Sequence, residues 1–168
     1  FVEDVRVLYE LESEQAGEEF GWVTRTVGDL DGDGATDFAV TAPGHRGGGP
    51  GAGRVVVVSG RSGATLFTRD GAAGDRYGNG VAGIDDLNDD GVPDVLVCAT
   101  QGGPNPGYVE VLSDKDGTPL RRLVGEAAGD SFGLKACAAP DLDGDGLPEI
   151  AVSAWRADGA AGVDCGRV

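Results

Sequence analysis

Three stretches of this chain align without a gap, and the spacing between them restricts the fold more than any other property. They are FGWVTRTVGDLDGDGATDFAVTAP, YGNGVAGIDDLNDDGVPDVLVCAT and FGLKACAAPDLDGDGLPEIAVSAW. Each opens on an aromatic–glycine pair: Phe20-Gly21, Tyr77-Gly78 and Phe132-Gly133. The first acid of the turn that follows stands nine residues after the aromatic each time, at Asp29, Asp86 and Asp141, so successive copies lie 57 and then 55 residues apart. Self-similarity at such a period marks a chain of stacked or radially arranged units.

A second block recurs between these stretches. GRVVVVSG (53–60) matches GYVEVLSD (107–114), and GRV at 166–168 starts a third copy. LFTRDGAAGDRYG, RLVGEAAGDSFG and, near the start, LESEQAGEEFG also match one another. Each unit reads as four short Val-rich segments separated by Gly, Asp or Pro turns, with partial alternation and no sustained helical period. Four strands in about 55 residues describe a propeller blade. The expected fold is all-β, a β-propeller of four-stranded antiparallel blades with about three blades in this chain. The chain divides into 1–19 (last strand of a preceding blade, with DVRVLYEL at 4–11 in that role), 20–76, 77–131 and an incomplete unit at 132–168. Three blades are too few to close a ring, so the partners expected are the remaining blades or a second copy of the chain.

The turn between the first and second strand of each unit carries the chemistry. Oxygen-bearing side chains occupy loop positions 1, 3, 5 and 9, with Gly at 6: Asp29, Asp31, Asp33 and Asp37 in the first copy, Asp86, Asn88, Asp90 and Asp94 in the second, Asp141, Asp143, Asp145 and Glu149 in the third. Like charges so close destabilise a turn unless a cation joins them. Calcium takes six to eight hard oxygen ligands in flexible geometry, and the position-7 carbonyls of Ala35, Val92 and Leu147 would add one more to each set. Three Ca2+ sites are expected. Asn88 lowers the ligand charge of the second, which Asp85 and Asp89 partly restore. An EF-hand is excluded, because position 12 is Val40, Val97 and Val152 where that motif needs a bidentate Glu. Plain Asp-Gly hairpins would explain the glycines and an acid or two, but not the same acids at the same positions three times.

Composition narrows the partners. A formal charge of −16 repels nucleic acid, and no run approaches the ~18 apolar residues of a membrane span. The start at Phe1, without Met, suggests a processed or trimmed product. Three cysteines, Cys98, Cys137 and Cys165, are an odd count that points to no disulfide framework.

With its aromatic–Gly heads, D-x-[DN]-x-[DN]-G-x-x-[DE] loops and TAPG (41–44), the sequence resembles the FG-GAP repeats that build the seven-bladed propeller head of integrin α subunits and related bacterial surface proteins. The resemblance covers nearly the whole chain. It implies Ca2+ bound through the loop residues named above, and an adhesion or ligand-binding role at the cell surface or outside the cell. The GAP element is eroded in the second and third copies, which have Ala99-Thr100 and Ala154-Trp155.

The remaining candidates read as structural. His45, in PGHRGGGPGAG, is expected to be a solvated loop residue with no nucleophile beside it. Trp22 and Trp155 are expected to pack between blades, a sugar-stacking face being the alternative. Cys98 and Cys137 are expected to be small core residues, with a link between blades as the alternative. The acids are accounted for by metal, so no enzyme is expected within these residues. The expected function is a calcium-stabilised module for adhesion or for interaction with a protein or other ligand; the alternatives are a glycan-binding propeller and the non-catalytic part of a secreted enzyme.

Overall fold

The computed structural model describes residues 6–100 and 106–168. Its first eight strands form two identical meanders. β1 (Thr24–Gly28), β2 (Asp37–Ala42), β3 (Arg54–Val58) and β4 (Thr65–Asp70) pair in that order, as do β5 (Tyr77–Ile84), β6 (Asp94–Ala99), β7 (Tyr108–Leu112) and β8 (Pro119–Val124). A third sheet holds β9 (Phe132–Ala139) and β10 (Glu149–Ala154). All of these ladders are antiparallel. Among the described residues there is no helix, hence none long and apolar enough to cross a membrane. The sheets do not close into a ring, as in a partial propeller. The third blade continues one step further: Ala154 bridges Arg167, the register in which Ala42 faces Arg54 in the first blade.

The burial pattern explains why these segments become blades. Every residue of β6 and β7 is buried, whereas β8 is almost wholly exposed. Alternate residues of β6 feed different seams, Val95, Val97 and Ala99 the one with the first blade, Leu96 and Cys98 the one with the third. β7 divides likewise, with Tyr108 and Leu112 on one side and Val109 and Val111 on the other. A strand covered on both faces is apolar on both save where a buried acid finds partners, as Asp94 and Glu110 do, which is why VLVCA lacks the alternation of an open sheet. Each fully buried Val contributes roughly 1.5–3 kcal/mol, so the seams hold the fold together.

The aromatic–glycine pair clasps neighbouring blades. Tyr77 N donates to Ala52 O at 2.9 Å, and Tyr77 forms a parallel bridge with Gly53. Gly78 follows at φ 86°, and a Cβ there would stand 2.9 Å from the Arg54 carbonyl oxygen. Gly133 repeats this with φ 75° and a Cβ position 2.7 Å from Tyr108 O. Only glycine combines that backbone conformation with that approach.

Residues 6–12 of the stretch expected as the last strand of a preceding blade pair in no ladder among the described residues, and residues 1–5 lie outside them. Tyr9 donates its hydroxyl proton to the Arg61 carbonyl. Three expectations fail. His45 is buried, not solvated, with Nδ1 2.5 Å from Glu18 Oε2. Burial opposes the charge on Glu18, yet hydrogen bonds from His45, Ser13 and the Glu14 and Gln15 backbone outweigh it and hold this carboxyl at about 2. Trp22 and Trp155 are about half exposed (55% and 49%) and fill no seam; the Arg156 guanidinium stacks 4.5 Å from the Trp155 ring centroid. Cys137 is exposed, because its face of β9 has no sheet upon it among the described residues. Cys98 is buried as expected, with its thiol pushed up to about 11 by burial, and all three cysteines are free.

Candidate metal centres

Each acidic loop joins the first strand of a blade to the second, and its position-9 acid is the first residue of that second strand: Asp37 of β2, Asp94 of β6, Glu149 of β10. The loops fold around their own carboxylates. Asp29 Oδ2 accepts from Gly34 N at 2.8 Å, Asp86 Oδ2 from Gly91 N at 2.6 Å and Asp141 Oδ2 from Gly146 N at 2.9 Å. Position 3 accepts from the position-5 amide in all three, through Asp31 (3.1 Å), Asn88 (3.1 Å) and Asp143 (3.0 Å). Position 5 accepts from the position-7 amide, Asp33 from Ala35, Asp90 from Val92 and Asp145 from Leu147. Position 9 reaches back to position 2: Leu30 N to Asp37 at 2.7 Å, Leu87 N to Asp94 at 2.9 Å, Leu142 N to Glu149 at 2.5 Å. Backbone donors thus draw the acids inward.

How many acids converge differs between the loops. In the third, Asp141, Asp143, Asp145 and Glu149 each offer an oxygen within 4.8 Å of the others. In the first, Asp29, Asp31 and Asp37 do so, and Asp33 does not. The second loop brings no three acids together by that measure among the described residues. The position-5 acids of these two loops are instead held by cations. Arg61 Nε lies 3.2 Å from Asp33 Oδ2, and Lys115 Nζ lies 2.8 Å from Asp90 Oδ2.

The position-9 acids carry a further difference. Both Asp37 and Asp94 are wholly buried. Asp37 Oδ1 accepts from Gly60 N at 2.8 Å, tying the loop to the turn between β3 and β4. A Cβ at Gly60 would stand 2.0 Å from Thr36 O, so only glycine sits that close. Asp114 occupies the matching place in the second blade; its amide faces the Asp94 carboxyl without completing a hydrogen bond, so Asp94 Oδ1 is buried without a partner. Burial pushes the Asp94 carboxyl up to about 6, against the Leu87 and Asp114 amides and with the charges of Asp114 and Asp86 adding to the rise. Asp86 is held below the ordinary carboxylate range, chiefly by the Gly91 amide.

A hard dication fits this donor set. Four hard oxygens converge in the third loop and three in the first, and a buried carboxylate oxygen in the second lacks a donor. The sequence pattern missed the two turn cations, which lie 28 and 25 residues beyond the acids they meet; the matched GRVVVVSGR and GYVEVLSDK blocks held that signal.

Known proteins are similar to this chain in sequence. Residues 20–58 match the FG-GAP repeat and residues 86–152 the FG-GAP-like repeat. Integrin alpha pat-2 of Caenorhabditis elegans is 41% identical over 95 residues, 51% of this chain and 8% of that protein. Integrin alpha-5 of Xenopus laevis is 31% identical over 173 residues, 92% of this chain and 16% of that protein. Integrin alpha-V of Gallus gallus is 30% identical over 177 residues, 91% and 16% respectively. The chain thus spans 16% or less of the length of these three relatives.

Proposed function

Because the chain belongs to the FG-GAP repeat family, we propose that it is a calcium-binding part of an integrin-like propeller that engages a protein ligand outside the cell. The observation that carries this reading is the convergence of Asp141, Asp143, Asp145 and Glu149 oxygens within 4.8 Å, with the same spacing of donors in the other two loops. Calcium would be held at positions 1, 3, 5 and 9 of each loop, with the carbonyls of Ala35, Val92 and Leu147 completing the sets. Its charge would lock the turns that start β2, β6 and β10, and so fix the blade ends from which binding loops project. Blade units at 20–76, 77–131 and 132–168 would join further blades or a second copy of the chain. The likeness to integrin α subunits supports adhesion or interaction rather than catalysis, and a cell-surface or extracellular setting.

Extracellular modules bind calcium at about 10⁻⁴–10⁻³ M, and one site at about 100 times its dissociation constant adds roughly 2.7 kcal/mol. Titration calorimetry and thermal melts in millimolar calcium against EDTA test the proposal. A metal-free chain that takes up no calcium and melts at the same temperature in both overturns it. The exposed Trp22 and Trp155 rings favour a second reading, a glycan ligand stacked on indole; sugar-dependent stabilisation and binding on a glycan array would select it.

A further inference from the structure

The turns joining β3 to β4 and β7 to β8 are built alike. Ser59 N donates to Ala64 O at 2.8 Å and Gly63 N to Ser59 O at 2.9 Å; Ser113 N donates to Thr118 O at 2.9 Å and Gly117 N to Ser113 O at 3.0 Å. Arg61 and Lys115 are each the second residue after that serine, and each reaches the position-5 acid of its own blade. Arg61 also donates to the Asp33 carbonyl at 2.6 Å. Each of these contacts goes with a parted set: Asp33 stands apart from the other acids of its loop, and the loop of Asp90 gathers no group of three among the described residues.

We propose that Arg61 and Lys115 are affinity-setting residues for the metal loops, tethered cations that hold the position-5 carboxylate until a divalent cation displaces them. This rests on the calcium reading above and adds a gradation to it. A side-chain cation on Asp33 or Asp90 neutralises a ligand, turns it from the site and repels the incoming dication. Calcium must break that contact in the first two loops. The cost of displacement is electrostatic and between exposed groups, so it shrinks as salt rises.

The test uses the whole chain with Arg61→Gln and Lys115→Gln, which remove charge and keep a polar side chain of similar reach. Calcium is titrated alone, and the amide resonances of Gly34, Gly91 and Gly146, one in each loop, report the three sites separately by NMR. Arg61→Gln tightens the first site and Lys115→Gln the second, each by about threefold to tenfold in low salt, with the third unchanged. Arg61→Lys and Lys115→Arg keep the charge and stay near wild type. Arg156→Gln, beyond the far end of β10, removes one charge away from the loops and shifts every site by less than about twofold. A wild-type chain that binds calcium while both Gln variants match the Arg156→Gln control overturns this inference alone. A wild-type chain that binds none overturns the calcium reading and this with it.

Discussion

The Tyr77 hydroxyl donates to Glu110 Oε2 at 2.8 Å in the seam between the first two blades, and both side chains are almost fully shielded from water. Glu110 also meets Arg69 of the first blade at 3.3 Å and Arg122 Nε at 2.7 Å. In the first blade the matching positions are Phe20 and Val56, an apolar pair in place of the hydrogen bond. Burial, with the Glu110 charge beside it, pushes the Tyr77 hydroxyl well above the ordinary phenol range, so it stays a donor.

The two pairings should be exchangeable only together. Tyr77→Phe takes one donor from buried Glu110, and Glu110→Val leaves the buried Tyr77 hydroxyl without its acceptor, so each should lower stability by about 1–3 kcal/mol. The double variant recreates the pair of the first blade, and Arg69 and Arg122 are exposed enough to be solvated. Its loss should fall short of the sum by at least about 0.5 kcal/mol in urea melts. Strict additivity would mean that the two residues are not coupled.

Calcium binding should be graded by ligand charge. Eleven carboxylates serve the three loops (four, three and four), and filling every site would bring the formal charge from −16 to −10. Asp31→Ala takes a charged ligand from the first loop and Asn88→Ala a neutral one from the second. Calorimetry should find the larger loss of affinity for Asp31→Ala; an equal or reversed order would contradict the ranking.

Asp94 makes the metal-free protein sensitive to pH. Its folded pKa is about 6 against 3.8 in a free chain, so the folded state binds the extra proton. That contribution to stability is present below about pH 4 and lost as pH rises through about 6. Asp114→Gly should let the turn amide reach Asp94 Oδ1, as Gly60 does for Asp37. It should flatten the profile between pH 4 and 6.5 in EDTA and add about 1 kcal/mol at neutral pH. Urea melts across that range would show it, and an unchanged profile would refute it.

Glycines in the same conformation should differ in cost. Gly32 has φ 72° and open space where a Cβ would go, so Gly32→Ala meets backbone strain of roughly 1–2 kcal/mol and little else. Gly78 has φ 86° and a carbonyl oxygen 2.9 Å from that position, so Gly78→Ala must also push two blades apart. It should lose at least about 3 kcal/mol. Equal losses would show that the seam yields freely.

The blades were readable because their signals are local: Val-rich runs, Gly and Asp turns, and a fixed interval from aromatic to acid. The loop donors were readable for the same reason, since Asp29 to Asp37 lie within nine residues. What escaped was long in sequence and short in space. His45 sits among glycines that suggest exposure, and its burial depends on Glu18, which lies 27 residues earlier. Trp22 and Trp155 have the area of core residues but lie where no sheet covers them. The Lys115–Asp90 contact needs the register of three strands before it exists.

Because β6 lends alternate side chains to two different seams, the middle sheet has no face of its own to fall back on. Loss of either neighbour strips every second residue of that strand of its surroundings at once. Melting is then a nearest-neighbour process, as in a row of stacked plates, in which disruption enters from the less covered end and gains speed as it travels. The exposed outer strand β8 should surrender its amide protons to exchange early, and the middle of β6 last.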